Sequence, residues 1–269
     1  MHATVNIGET ALECAWFGPR PPDAPTIVMM HEGLGSVSTW RNFPERLAEA
    51  TKAGVFALSR AGYGRSSPAS LPRPMDYLRR EAIDVLPKVL DAIGFRRGIL
   101  LGHSDGGSIA AIYAGSVQDH RVRGLVLIEP HFFVEEINIA AIQKIGADYE
   151  STALRGRLAR HHANVDDTFH GWRNMWLDPR FKSFDMRQEL NYIRVPILIV
   201  KGENDPYSTR EQIKVAEEEC YCPVESIIVP KARHAPHHEA PDITLAAISS
   251  FINHILWFHE ARTPEARPA

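Results

Sequence analysis

The chain is poor in cysteine, in charge of one sign and in long apolar runs, and each shortage excludes something. Its three cysteines, Cys14, Cys220 and Cys222, are an odd number without zinc-site spacing in 269 residues. They exclude a disulfide framework and read as reduced thiols, from which a cytoplasmic setting is expected. Cys220-Tyr221-Cys222 is close enough to form a redox pair, but the plain reading is two free thiols. A net charge of −3 offers no basic face, so no nucleic-acid partner is expected. Arg79-Arg80 and Arg96-Arg97 are short clusters and read as solvated surface. No stretch approaches the roughly 18 apolar residues that cross a bilayer, so no membrane partner is expected either. Met1 to Thr10 lacks both a cationic stretch and an apolar run, which argues against a secretory signal. No repeat or low-complexity segment is visible.

What is present is enough apolar material, 44 % of the residues, for a sizeable core. It comes in short β-branched runs: Thr26 to Met30, Val55 to Leu58, Gly98 to Leu101, Val122 to Ile128, Val195 to Val200 and Val224 to Val229. Continuous apolar character implies strands covered on both faces, as in a parallel sheet. Ala3 to Ile7 and Ala11 to Phe17 read as an antiparallel hairpin turning at Gly8-Glu9. Helical patterns lie between the runs: Phe43 to Ala50, Asp76 to Ile93 with an interruption at Pro87, Ser108 to Ser116, Thr209 to Glu219 and Ile243 to Trp257. Such alternation predicts an α/β fold with a doubly wound, mostly parallel sheet.

One region breaks the pattern. From His131 to about Leu190 there are helical stretches and many aromatics but no clear strand. The expectation is a helical lid over residues 131–190, inserted into a core made of 1–130 and 191–269. The tail after His259 reads as frayed.

The sharpest signal is Leu101-Gly102-His103-Ser104-Asp105-Gly106-Gly107, a Gly-x-Ser-x-Gly element between a strand and a helix. A turn that tight needs small residues two before and two after the nucleophile. Gly102 and Gly106 satisfy this for Ser104. For Asp105 the flanks would be His103 and Gly107, and His103 does not fit, so Ser104 is the candidate nucleophile.

A serine hydroxyl needs a base and an orienting acid, which in this arrangement follow in the order acid, then histidine. Asp205 ends the run after Val195 to Val200, 101 residues beyond Ser104. Glu203 and Glu129 compete for the role. His234 opens the loop after Val224 to Val229 and is the candidate base, with His237 as the alternative. A metal held by His234, His237 and His238 is redundant beside a serine elbow, and no cofactor is implied. The oxyanion hole needs two backbone N–H groups. Asp105 supplies one and Gly33, in His31-Glu32-Gly33-Leu34-Gly35, the other, with Leu34 as the neighbouring choice. A carboxylate at Glu32 would oppose an oxyanion, so its side chain is expected to turn away and hold the loop.

With these segments the chain resembles the α/β-hydrolase superfamily, close to lid-bearing esterases, perhydrolases and meta-cleavage C–C hydrolases. The resemblance runs through His31-Glu32-Gly33, Ser59-Arg60-Ala61-Gly62-Tyr63-Gly64-Arg65-Ser66, Gly102 to Gly107, Gly202 to Asp205 and Arg233 to His237. It departs where the superfamily has His-Gly-Gly, where it opens the second loop with Asp-x-Arg rather than Ser59-Arg60-Ala61, and where it has Gly instead of Arg233. The resemblance implies a serine hydrolase acting on a small-molecule acyl substrate through an acyl-enzyme. Lid aromatics suggest a small apolar or aromatic ester, thioester, lactone or amide. Arg155, Arg157 and Arg173 are candidates for meeting a substrate carboxylate, as C–C bond hydrolysis would require. A non-catalytic receptor and a homodimer stay open.

Overall fold

A computed structural model describes residues 3–257; the tail after His259 lies outside them. Eight strands form one sheet: β1 (Ala3–Ile7), β2 (Thr10–Phe17), β3 (Thr26–Met30), β4 (Gly54–Leu58), β5 (Gly98–His103), β6 (Val122–Ile128), β7 (Ile197–Gly202) and β8 (Val224–Val229). Their order is β1-β2-β4-β3-β5-β6-β7-β8. The β1–β2 hairpin adds to β4 antiparallel, and every other pairing is parallel.

The apolar runs are continuous because both faces are covered. Successive side chains alternate between two cores. Val28, Met30, Leu100, Leu125, Leu127 and Ile199 point to one, and Ile27, Met29, Leu101, Val126, Ile128 and Val200 to the other. The second core is closed by α1 (Phe43–Thr51) and by the long C-terminal helix described below. The first is closed by α2 (Tyr77–Arg80), a π turn at Glu81–Val85, α3 (Leu86–Ala92) and α4 (Asp105–Ser116). Pro87 does not break the helical path as the sequence suggested. It falls in the first turn of α3, where its missing N–H costs no hydrogen bond, and the π turn before it absorbs the change of path. β7 begins at Ile197 rather than Val195. Pro196 has no N–H to give a central strand, although its carbonyl accepts from the Leu125 amide at 2.9 Å.

Between β6 and β7 run α5 (Glu136–Ser151), α6 (Leu154–Leu158), α7 (Val165–Trp176) and α8 (Arg187–Leu190). The ends of this segment are tied by a bridge between Phe133 and Asp185. Its aromatics Phe132, Trp172, Trp176, Phe181 and Phe184 belong to the core under the sheet. Only Tyr149, Val165 and Phe169 form a small cluster apart, in which the Tyr149 and Phe169 rings stack at 3.7 Å. α9 (Glu211–Glu219), α10 (Pro236–Glu239) and α11 (Pro241–Trp257) complete the chain. Among the described residues no helix is long and apolar enough to cross a membrane. All three cysteines are free.

β4 and β5 lie on opposite sides of β3, so the loops after β3 and β5 diverge around a crevice at the carboxyl edge of the sheet. The β4 loop closes one flank through an unexpected residue. Glu13, on β2 and 3 % exposed, accepts from Ser59 Oγ at 2.7 Å and from the Arg65 amide at 3.1 Å. Ser59 Oγ in turn accepts from the Val37 amide at 2.8 Å, reaching the segment after β3. Glu13→Ala strands these donors in a dry site, which costs about 1–3 kcal/mol. Urea unfolding should show a lower midpoint with an unchanged slope.

Candidate active site

The bend at Ser104 is forced. Its φ of 52° and ψ of −115° lie outside the regions favoured by side-chain-bearing residues, a strain of about 1–3 kcal/mol. The turn is held by close backbone packing. A Cβ on Gly102 would come within 2.1 Å of the Gly106 carbonyl oxygen. One on Gly106 would come equally close to that of Met30, at the end of β3. The Ser104 amide donates to the Ile128 carbonyl at 2.8 Å, fixing the bend to β6 as well. Asp105 follows as the first residue of α4, where N–H groups have no partner within the helix.

Ser104 lines a cavity of about 180 Å³ together with Glu32, Gly33, Asp105, His131 and His234. Its apolar wall comes from Leu34, Ile142, Ile145, Trp172, Trp176 and Tyr207. The structure thus brings Ser104, His234, Gly33 and Asp105 to one space. Gly33 must lack a side chain there, because a Cβ would lie 2.0 Å from Trp172 Nε1. Leu34 also lines the cavity, and its carbonyl accepts from His162 Nε2 at 2.9 Å.

His234 Nδ1 donates to Asp205 Oδ1 at 2.8 Å, which leaves Nε2 as the free nitrogen of the ring. Ser104 Oγ and the ring are not hydrogen-bonded to each other, and in ligand-free sites such bonds are often long. Tyr207 packs its ring 4.5 Å from that of His234. His237 sits elsewhere, buried against Trp40 at 5.0 Å and Phe43 at 5.6 Å between ring centres. Burial first, and then the His103 charge, push it well below the ordinary histidine range. Glu203 points away and accepts from the Lys231 amide at 2.9 Å.

Asp205 is the centre of a buried charge cluster that the sequence did not announce. Its carboxylate also accepts from the Tyr207 amide at 3.0 Å, Ser208 Oγ at 2.6 Å and Lys201 Nζ at 3.1 Å. Burial would raise this carboxyl, but the His234 ring and the Lys201 ammonium more than offset it and hold it well below the usual carboxylate range. Glu129, the alternative acid, has no hydrogen bond to His234. It accepts instead from Lys201 Nζ at 3.0 Å and from the Gly202 amide. Burial, followed by the Asp205 charge, pushes it up to about 9, so the two carboxyls hold one proton between them at neutral pH. Glu129, Asp205 and His234 offer ligand-type atoms within 4.8 Å of one another. Lys201 already fills the cationic place among those carboxylates, with further bonds to Ser208.

A second buried cation, Arg60, serves the other side of the cavity. It donates to the His31 carbonyl at 2.5 Å and the Glu32 carbonyl at 3.2 Å, and lies 3.6 Å from the Asp105 carboxylate. Asp105 accepts from Tyr77 OH at 2.6 Å, which accepts from Trp176 Nε1 at 3.0 Å. The chain of contacts therefore runs from the loop after β3 through the turn at Ser104 to α7. The Glu32 carboxylate lies over its own loop, where a Cβ on Gly35 would come within 2.2 Å of Oε2. The Glu32 carbonyl also accepts from His31 Nδ1 at 2.7 Å, and the carboxylate is 3.5 Å from His103 Nδ1; the residue is one of those lining the cavity. The insertion arginines stay outside: Arg155 pairs with Asp166 at 2.6 Å and Arg173 donates to Asn174 at 3.1 Å. None of them, nor Arg157, lines the cavity. His131 does, and burial, then the His234 charge, lowers it to about 3, so it is neutral.

A family model described as the alpha/beta hydrolase family matches residues 27–247. The chain is 29 % identical over 192 residues to the mouse serine hydrolase BPHL (Mus musculus), covering 68 % of this chain and 64 % of that protein. It is 32 % identical over 115 residues to the human (lyso)-N-acylphosphatidylethanolamine lipase (Homo sapiens), 43 % of this chain and 33 % of that one. The matched region thus spans only a third of the lipase. Among solved structures, the enol-lactonase from Burkholderia xenovorans LB400 superposes with a TM-score of 0.71 over 93 % of this chain and 99 % of that one, at 20 % identity.

A group whose folded pKa is raised adds stability that is complete below its unfolded pKa and is lost as pH rises through the folded one. For Glu129 that window runs from the ordinary 4.5 up to about 9. Thermal unfolding from pH 5 to pH 9 should therefore show a decline in midpoint that is shallower in Glu129→Gln. An equal slope in both proteins would mean that Glu129 is ionised throughout.

Proposed function

This chain belongs to the alpha/beta hydrolase family, and from that premise we propose that it is a serine hydrolase of small, uncharged carboxylic esters. The observation that carries the reading is a strained, positive-φ Ser104 sharing a cavity with His234, whose other ring nitrogen donates to Asp205.

In this reading Ser104 Oγ attacks the ester carbonyl carbon and gives its proton to His234 Nε2. Asp205 holds the ring and stabilises the imidazolium. The tetrahedral oxyanion accepts from the Gly33 and Asp105 amides. Collapse expels the alcohol, which takes the proton from His234 and leaves an acyl-enzyme. Water then gives a proton to His234 and attacks the acyl carbon, and the released Ser104 oxygen recovers that proton as the acid departs. No cofactor enters any step.

The cavity limits the substrate. A dry cavity of roughly 150 Å³ takes a benzene ring, so about 180 Å³ suits an acyl group of one aromatic ring or a short branched chain. Among the described residues the walls contain no arginine or lysine to meet a second carboxylate. This favours neutral esters or lactones over the acidic ring-fission products that a C–C hydrolase takes. Segment 131–190 acts as a lid, because His131, Ile142, Ile145, Trp172 and Trp176 all come from it.

A fluorophosphonate probe should label the protein, and Ser104→Ala should abolish the label. p-Nitrophenyl acetate, butyrate and benzoate should be turned over, the palmitate poorly. Ser104→Ala and His234→Ala should each lower kcat/KM by about 10⁴ or more. Labelling without ester turnover would move the search to lactones, amides or C–C bonds. An unlabelled wild type would remove the serine-nucleophile reading altogether.

A further inference from the structure

Glu32 poses an electrostatic problem. The residue lines the cavity next to Gly33, and a negative charge that near opposes the oxyanion that the proposed reaction forms. The residue before the nucleophile answers it. His103 is 3 % exposed, and its two ring nitrogens face two groups that can only accept: the His234 carbonyl oxygen, 2.6 Å from Nε2, and Glu32 Oε2, 3.5 Å from Nδ1. Nδ1 has no other partner among the described residues. An imidazole between two acceptors satisfies both only by carrying both protons.

We infer that His103 is a fixed imidazolium, paired to Glu32, that cancels the carboxylate beside the oxyanion hole and tethers the loop carrying His234. His103 is thus a positioning residue: it acts through Glu32 and through the His234 backbone. The inference rests on the proposed hydrolase reading for its catalytic part and on geometry alone for its charge state.

The surroundings agree. On the His103 side stand His237, with its ring centre 4.8 Å away, His234 at 5.2 Å and Trp40 at 6.2 Å. On the Glu32 side stand His31, His161 and His162, all pushed below the ordinary histidine range first by burial. Burial sets the Glu32 carboxyl upward, yet its bond to His103 and the charge of that ring bring it well below the ordinary range. Of the rings around the pair, His103 is the one in ion-pair distance of the Glu32 carboxylate.

The test has a structural arm and a kinetic arm. In protein labelled with ¹⁵N-histidine, with the signal assigned through His103→Gln, both His103 nitrogens should be protonated at pH 7. An ordinary histidine, with pKa about 6.5, is mostly neutral there. Glu32→Gln should return His103 to the neutral form at that pH. In kinetics, His103→Gln should lower kcat about 10- to 100-fold with little change in KM, because it leaves Glu32 uncompensated. Adding Glu32→Gln to it should recover at least tenfold, a gain that loss of structure alone does not produce. Rates of fluorophosphonate labelling should follow the same order. A neutral wild-type His103 at pH 7 would overturn the inference whether or not any ester is turned over. A folded double variant no faster than His103→Gln would overturn its catalytic part while leaving the serine reading intact.

Discussion

Everything at the site depends on how closely the chain can approach itself at the end of β5. With Gly102 against Gly106, and Gly106 against the Met30 carbonyl, the turn at Ser104 packs the start of α4 tightly against the ends of β3 and β5. That packing sets Ser104 beside the loop that carries Gly33, because the two loops leave the sheet at its switch point. A side chain at Gly102 would push α4 from β5, and one at Gly106 would push α4 from β3, so either would displace Ser104 at once. The strain at Ser104 persists because three surrounding elements, β3, β6 and α4, over-determine the bend.

Two buried cations then organise what the turn has gathered. Arg60 holds the His31 and Glu32 carbonyls on one side and the Asp105 carboxylate on the other, so the segments carrying Gly33 and Asp105 are steadied by one guanidinium. Lys201 holds Glu129 and Asp205 together, and Asp205 holds His234. Burying such charges is expensive, and an apolar replacement of like volume is often as stable. Their use here is geometric. Each cation bonds groups from different elements, and a planar or tetrahedral set of donors allows few arrangements. The helices between β6 and β7 join the same scheme through Trp176, Tyr77 and Asp105, so the wall above the cavity and the turn beneath it are one hydrogen-bonded unit.

The departures from the superfamily pattern become intelligible in three dimensions. Ser59 stands where an aspartate is common, and the missing carboxylate comes from Glu13 on β2, a strand earlier in the chain and antiparallel to β4. Glu32 stands where a glycine is common, and His103 faces it. In both cases a charge is relocated or balanced across strands. No spacing rule reports this, because the partners are 46 and 71 positions apart and meet only through sheet register.

Local chemistry was enough for much of the fold. Strand-length apolar runs, the glycine spacing around Ser104, and the turns carrying Asp205 and His234 depend on steric and covalent rules that act within a few residues, so they are legible in the sequence. Membership of the alpha/beta hydrolase family follows from those same segments. Choices between similar side chains could be ranked from the sequence, with His234 and Asp205 first, but not made by it. That Asp205 rather than Glu129 bonds His234, that Glu129 bonds Lys201 instead, that the insertion arginines stay out of the cavity wall, and that Glu32 meets His103 were all fixed by tertiary structure. Each is a matter of direction over a few ångströms, set by which neighbour is buried and which donor is free, and only the packed chain fixes that.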